Sequence, residues 1–93
     1  MADNVRELSR IFKVLSVDTR VRIIQSLKSG PLCVNALACR LDITPAAVSQ
    51  HLRILRDAGI VLDEKRGYYV HYSLDHEELE RWKQQAAEFM DAS

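Results

Sequence analysis

Ser49, Gln50 and Arg53, with Ala46 one turn earlier, are the side chains in this sequence whose types and spacing suit a specific chemical task. On a helix, at about 100° per residue, Ala46, Gln50 and Arg53 share one side with Ser49 on its flank. Val48, Leu52 and Leu55 recur at i, i+4 and i+7 as an apolar stripe on the other side. Small or hydrogen-bonding groups with one guanidinium are what read base edges in a DNA major groove. The helix opens with Thr44, a good N-cap, and Pro45, whose missing N–H costs nothing at the first helical position. Taken alone, the stretch fits a solvated surface helix equally well.

Two thiols form the second chemical set. Cys33 lies at the mouth of a helix beginning near Val34, where the partial positive charge of a helix N-terminus favours thiolate over thiol. Cys39 is six residues further on, about 9 Å of rise and about 120° around, too far for an intrahelical disulfide. No Cys-x-x-Cys or Cys/His spacing suggests a zinc finger, and both cysteines are expected to be free. The bland role for such a residue is a small hydrophobe. His71, in a strand-like run, and His76, at a helix start, lack partners at ligand spacing and are expected to be solvated. An enzyme is not indicated: there is no Ser/His/Asp constellation, and with three glycines no phosphate-cradling loop.

The elements that position these groups follow from periodicity. Val34, Leu37, Ala38 and Leu41 form a stripe on a short helix, separated from Thr44 only by Asp42 and Ile43, so the two helices make a helix-turn-helix. Small Ala38 sits where the helices approach, Ile43 can plug the turn, and Asp42 tolerates a left-handed turn conformation. Upstream, residues 4–15 read as an amphipathic helix through Val5, Leu8, Phe12 and Leu15 with Ile11 beside them. A second helix, capped by Asp18 or Thr19, faces Val21, Ile24 and Leu27 inward, keeps Arg20, Arg22 and Lys28 wet, and stops at Gly30-Pro31. Downstream, residues 60–65 and 68–74 are β-branched and aromatic runs around Arg66-Gly67, a hairpin whose tip would carry Lys65 and Arg66 to phosphates or the minor groove. The alternative is a hairpin that only closes the core. A last helix from His76 to Met90 repeats Leu79, Trp82, Ala86 and Phe89. Together with Leu8 and Phe12, the residues Leu79, Trp82 and Phe89 give more apolar face than so small a domain needs, which predicts a homodimer seam; the alternative is that both helices cover the intramolecular core.

Bulk properties bound the reading. With 93 residues, 28% charged and 47% hydrophobic, the chain is expected to be one soluble domain spanning residues 1–93. No apolar run is long enough for a membrane span and the charged N-terminus is unlike a signal peptide, which predicts a cytoplasmic protein with no membrane partner. Net charge is zero, but residues 75–93 set six carboxylates against Arg81 and Lys83 for −4, leaving +4 on residues 1–74. A mildly basic body with an acidic end fits DNA binding by one face.

With these residues laid out, the chain resembles the ArsR/SmtB family of dimeric winged helix-turn-helix repressors over nearly its whole length. The resemblance is carried by Leu15-Ser16-Val17-Asp18-Thr19-Arg20-Val21-Arg22-Ile23-Ile24, by Leu32-Cys33-Val34-Asn35-Ala36-Leu37, by Ser49-Gln50-His51-Leu52-Arg53-Ile54-Leu55 running on through Ala58-Gly59-Ile60-Val61, and by Arg66-Gly67-Tyr68-Tyr69. It implies a mainly α fold with a β-hairpin wing between the fourth and fifth helices, a homodimer formed by the first and last helices, and an effector whose binding lowers operator affinity. By position, Ser49, Gln50 and His51 take the family's Ser-x-His-Leu stretch that enters the major groove. His51 also lies about 60° from the core stripe, where a hydrogen bond within the fold is its alternative.

The departures concern the effector. Arsenic and cadmium sensors of this family often carry Cys-Val-Cys at the start of the third helix; here it reads Cys33-Val34-Asn35, one soft thiolate fewer. Zinc and nickel sensors place imidazoles along the last helix. The matching positions are Asp75, Glu77, Glu88 and Asp91 in one register and His76, Glu78, Phe89 and Ala92 in another, so zinc is not expected. The sequence therefore points to a repressor of double-stranded operator DNA, with Thr44, Ala46, Ser49, Gln50, His51, Arg53, Lys65 and Arg66 as candidate DNA contacts. Cys33, with Cys39 secondary, would answer a thiophilic ion such as As(III) or an oxidant. A non-metal effector, or a winged-helix interaction module without DNA binding, remains open.

Overall fold

In the computed structural model, which describes residues 2–91, the chain runs through α1 (Ala2–Val14), α2 (Asp18–Leu27), β1 (Leu32–Cys33), α3 (Val34–Leu41), α4 (Pro45–Asp57), β2 (Val61–Arg66), β3 (Tyr69–Leu74) and α5 (His76–Asp91). Local chemistry sets the helix-turn-helix. Asp42 ends α3 in the left-handed region at φ 57°, and the N–H of Ile43 returns to the Ala38 carbonyl at 3.1 Å. Two residues later the Thr44 hydroxyl accepts from the Ala47 N–H at 3.1 Å and starts α4. Leu37, Ala38 and Leu41 then bury themselves against Val48, Leu52 and Leu55, with Ile43 packed on the cluster. This is the expected arrangement, except that Val34 at the head of the stripe is half-buried against the cluster.

Three antiparallel strands in the order β1-β3-β2 close one side of this core. Period-2 alternation turns Val61, Leu74 and the ring of Tyr72 inward, with Leu32 beside Tyr72 in register. The hairpin turn is Gly67-Tyr68, with Gly67 at φ 62°, the positive φ a two-residue II′ turn requires at its first position. β1 is an addition to the sequence reading. Two residues carry no period, and only their pairing of Leu32 with Tyr72 and Cys33 with His71 makes them a strand.

Several expected details are corrected. Val17, in extended conformation and without a side-chain bond, stands at the N-cap of α2, so neither Asp18 nor Thr19 caps it; Asp18 lies in the first turn, where its charge suits the helix dipole. Ile23, Ile24 and Leu27 are the buried residues of α2, whereas Val21 is half-buried. Along α1 the buried ridge is Ile11 and Val14, not the stripe through Val5, which is 65% exposed. Arg20 is half-buried, not wet: its Nη1 donates to the Val14 carbonyl at 3.4 Å. His71 is half-buried, with its Nδ1 shielded from solvent and without a hydrogen-bond partner among the described residues, so the expectation of a solvated side chain fails there; His76 is exposed.

α5 starts on Asp75, whose carboxylate accepts from the Glu78 N–H at 3.1 Å. Trp82 is 2% exposed within the chain's own core, which corrects its assignment to a dimer seam, while Leu79 is half-buried and packs against that core. The α1–α5 contact is completed at the surface. Phe12 and Phe89 meet edge to face with ring centroids 6.1 Å apart, and Arg81 bridges Glu7 at 2.6 Å and Glu78 at 2.8 Å.

Candidate nucleic-acid interface

Because the stripe of Val48, Leu52 and Leu55 is consumed by the core, the opposite side of α4 is forced outward. Ala46, Ser49, Gln50 and Arg53 are all exposed, and the structure brings them together on one continuous helix face beside the hairpin. Thr44 is exposed too, but its hydroxyl already accepts the capping bond, which leaves it a structural role at the head of the reading helix.

His51 is placed differently. It is half-buried, and Arg20 Nε of α2 donates to its Nδ1 at 3.4 Å, so the imidazole is held toward α2 and away from the outward face. The bond selects the tautomer with the proton on Nε2. Arg20 is thus a positioning residue that pattern reading missed, because a contact spanning 31 residues leaves no periodic trace.

The wing also differs from expectation. Lys65 and Arg66 belong to β2, paired with Val70 and Tyr69, and the tip itself is Gly67 with a fully exposed Tyr68. Arg66 is engaged by Glu64 at 3.2 Å, whereas Lys65 forms no ion pair among the described residues. The cations therefore flank the tip. Arg56, not singled out in the sequence, links α4 to the wing through Asp63 at 3.1 Å. Its spacing of three residues from Arg53 was the available signal.

The thiols are separated. Cys33 is half-buried at the N-cap of α3, across the strand pair from His71, while Cys39 is exposed on α3. Among the described residues, no group of three or more His, Cys, Asp or Glu side chains could hold a metal ion. Cys33 and Cys39 of one chain thus do not make a three-donor soft site.

Away from the reading face, α1 and α5 leave a groove of about 310 Å³ lined by Asn4, Val5, Leu8, Gln85, Glu88 and Phe89. Phe89 is 55% exposed, and Phe12, in edge-to-face contact with it, extends the apolar rim. Three of the five expected seam residues, Leu8, Phe12 and Phe89, are therefore at or beside this groove.

A family model described as "Bacterial regulatory protein, arsR family" matches residues 18–62, from α2 through the start of β2. The "Cadmium resistance transcriptional regulatory protein CadC homolog" of Staphylococcus aureus is 39% identical over 84 residues, 89% of this chain and 69% of that protein. The "Arsenical resistance operon repressor" of Escherichia coli is 42% identical over 66 residues, 70% of this chain but only 56% of the repressor's length. A crystal structure titled "Possible transcriptional regulator for arsenical resistance" superposes with a TM-score of 0.78 at 37% identity, covering 85% of this chain and 82% of that one. These relatives are regulators, not enzymes.

Proposed function

The chain belongs to the ArsR family of bacterial regulatory proteins, and from that premise we propose that it is a homodimeric repressor that binds a double-stranded operator in the cytoplasm and leaves it when an effector binds. The observation that supports this best is the outward face of α4: Ala46, Ser49, Gln50 and Arg53 are exposed together on a capped helix whose other side is locked in the core. Such a helix enters the major groove and reads bases through hydrogen bonds. Lys65 and Arg66, flanking the wing tip, supply charge to the backbone, and residues 1–93 act as one winged-helix domain.

Pairing of two copies over the α1–α5 groove covers Val5, Leu8, Phe12 and Phe89 and sets two α4 helices about one turn of DNA apart. The effector would act at Cys33, half-buried where β1 passes into α3, so that bonding at the thiol bears on the helix that supports α4. The cadmium- and arsenic-related names of the relatives favour a thiophilic ion. The absence of a three-donor group among the described residues favours thiol oxidation or a non-metal ligand as the second reading, with Cys39 secondary in either case.

The test is a salt titration of binding to an operator selected from a random duplex pool. Binding that weakens steeply with salt, and Gln50→Ala losing affinity for the selected operator by about 1–3 kcal/mol, are expected. No salt-dependent binding to any duplex would sink the reading in favour of a protein-interaction module. For the switch, DNA affinity of the wild type and Cys33→Ser is compared with and without arsenite, cadmium or peroxide. Equal release by both proteins would overturn the role of Cys33.

A further inference from the structure

We propose that the cleft between α4 and the sheet is a seat for one phosphate of the DNA backbone, built by Ser49, Arg53, Arg56 and Tyr72, and that Arg53 neutralises backbone charge there instead of reading a base edge; the proposal rests on the DNA-binding reading above. The cleft holds about 120 Å³ and is lined by these four residues with Leu52 as its apolar floor. Ser49 and Arg56 stand at i and i+7 on the wing-side flank of α4, with Arg53 between them, while Gln50 and Ala46 are turned further round toward the outward face. Opposite them, Tyr72 of β3 packs its ring on the core and contributes to the same cleft.

The charges favour an oxyanion. Asp63, the cross-strand neighbour of Tyr72, accepts one bond from Arg56 Nη1 at 3.1 Å and fixes that guanidinium between helix and wing. A guanidinium carries five donors, so several remain for a second acceptor. Arg53 forms no ion pair among the described residues, so of the two arginines lining the cleft only Arg56 is engaged, by Asp63. Two arginines, a serine and a tyrosine lining one small cleft carry the donor types that suit phosphate oxygens, and Arg favours them by its fork geometry. The position is right for a backbone strand: with α4 in the groove, the DNA chain passes between that helix and the wing.

Fluorescence anisotropy with the selected operator and a scrambled duplex, each over a range of salt, tests this. Arg53→Gln and Arg56→Gln are each expected to weaken both duplexes alike, by about tenfold, and to flatten the salt slope by about one unit. Tyr72→Phe keeps the packed ring, loses only the hydroxyl and should cost both duplexes a smaller, equal factor. Gln50→Ala is the comparator and should lose on the operator alone. If Arg53→Gln loses affinity for the operator only, its guanidinium reads a base and the proposal is wrong. Unchanged binding by both arginine variants overturns it as well. A wild type that binds neither duplex removes the DNA reading itself, a failure distinct from either. Free phosphate is the other source of the same chemistry: saturable NMR shifts at Ser49 and Tyr72 with inorganic phosphate, alongside unchanged DNA affinity in the variants, would make this a free-anion site and overturn the backbone assignment.

Discussion

The α3–α4 pair and the α1–α5 pair are both helix contacts, but they are finished in different ways. Between α3 and α4 only Asp42, Ile43 and Thr44 intervene, and Leu37, Ala38, Leu41, Val48, Leu52 and Leu55 are all buried, so the contact is dry and complete. α1 and α5 lie at opposite ends of the chain. Beyond the buried Ile11, Val14 and Trp82 they are joined at the surface by Arg81 to Glu7 and by Phe12 to Phe89, and beside these runs an open apolar groove. The first pair is a rigid mount for the reading helix. The second holds the fold with one side and leaves the other open as an apolar groove, the surface we propose a partner copy covers.

The sharpest way to break this division is Trp82→Ala. Removing an aromatic that is 2% exposed should cost about 3–5 kcal/mol of stability, read as a fall in the urea midpoint relative to wild type that is the same at every protein concentration. A loss that deepens on dilution would return Trp82 to the dimer seam. Phe89→Ser probes the other side of α5. It should leave the monomer's fold in place and weaken self-association by about 1–2 kcal/mol in sedimentation, as truncation of an exposed seam anchor does. An unchanged dimer would put the interface elsewhere. Thr44→Ala tests the mount itself: loss of the capping bond should destabilise by about 1 kcal/mol, and equal stability would show that Pro45 alone sets the start of α4.

The same division explains what could be read in advance. The helix-turn-helix was legible because its determinants are local: the stripe from Val34 to Leu41, the left-handed tolerance of Asp42 and the Thr44-Pro45 start all fall within a dozen residues. The two-residue β1, the hold of Arg20 on His51 and the cross-strand meeting of Cys33 with His71 were not, since each joins distant segments through contacts without periodicity. Trp82 was misplaced for a related reason. Periodicity shows that Leu79, Trp82, Ala86 and Phe89 share a broad face, but not where along it burial by the chain ends and exposure begins. The candidate DNA face on α4 was legible because its core stripe was; the cleft with Arg56 and Tyr72 needed the register of β3.

The smallest expected effect distinguishes the two pairs by pH. Glu7 has its carboxyl held below the ordinary range by hydrogen bonds from Gln85 and Arg81, and Glu78 is lowered chiefly by its bond to Arg81; the same contacts raise Arg81. A carboxyl with a depressed folded pKa binds fewer protons when folded than when unfolded, so its stabilisation is complete above the ordinary value of about 4.3 and is lost as pH falls through the depressed one. Urea midpoints followed from neutral pH into that acid range should therefore decline more steeply for the wild type than for Arg81→Gln. The difference should be small and should shrink with added salt, because Arg81 is exposed and Glu7 is only half-buried. Among the described residues, the α3–α4 contact buries no polar or charged side chain. Parallel acid limbs for wild type and Arg81→Gln would mean that the ion pairs between α1 and α5 do not stabilise the fold, leaving the aromatic contact and the buried Trp82 to hold α5 in place.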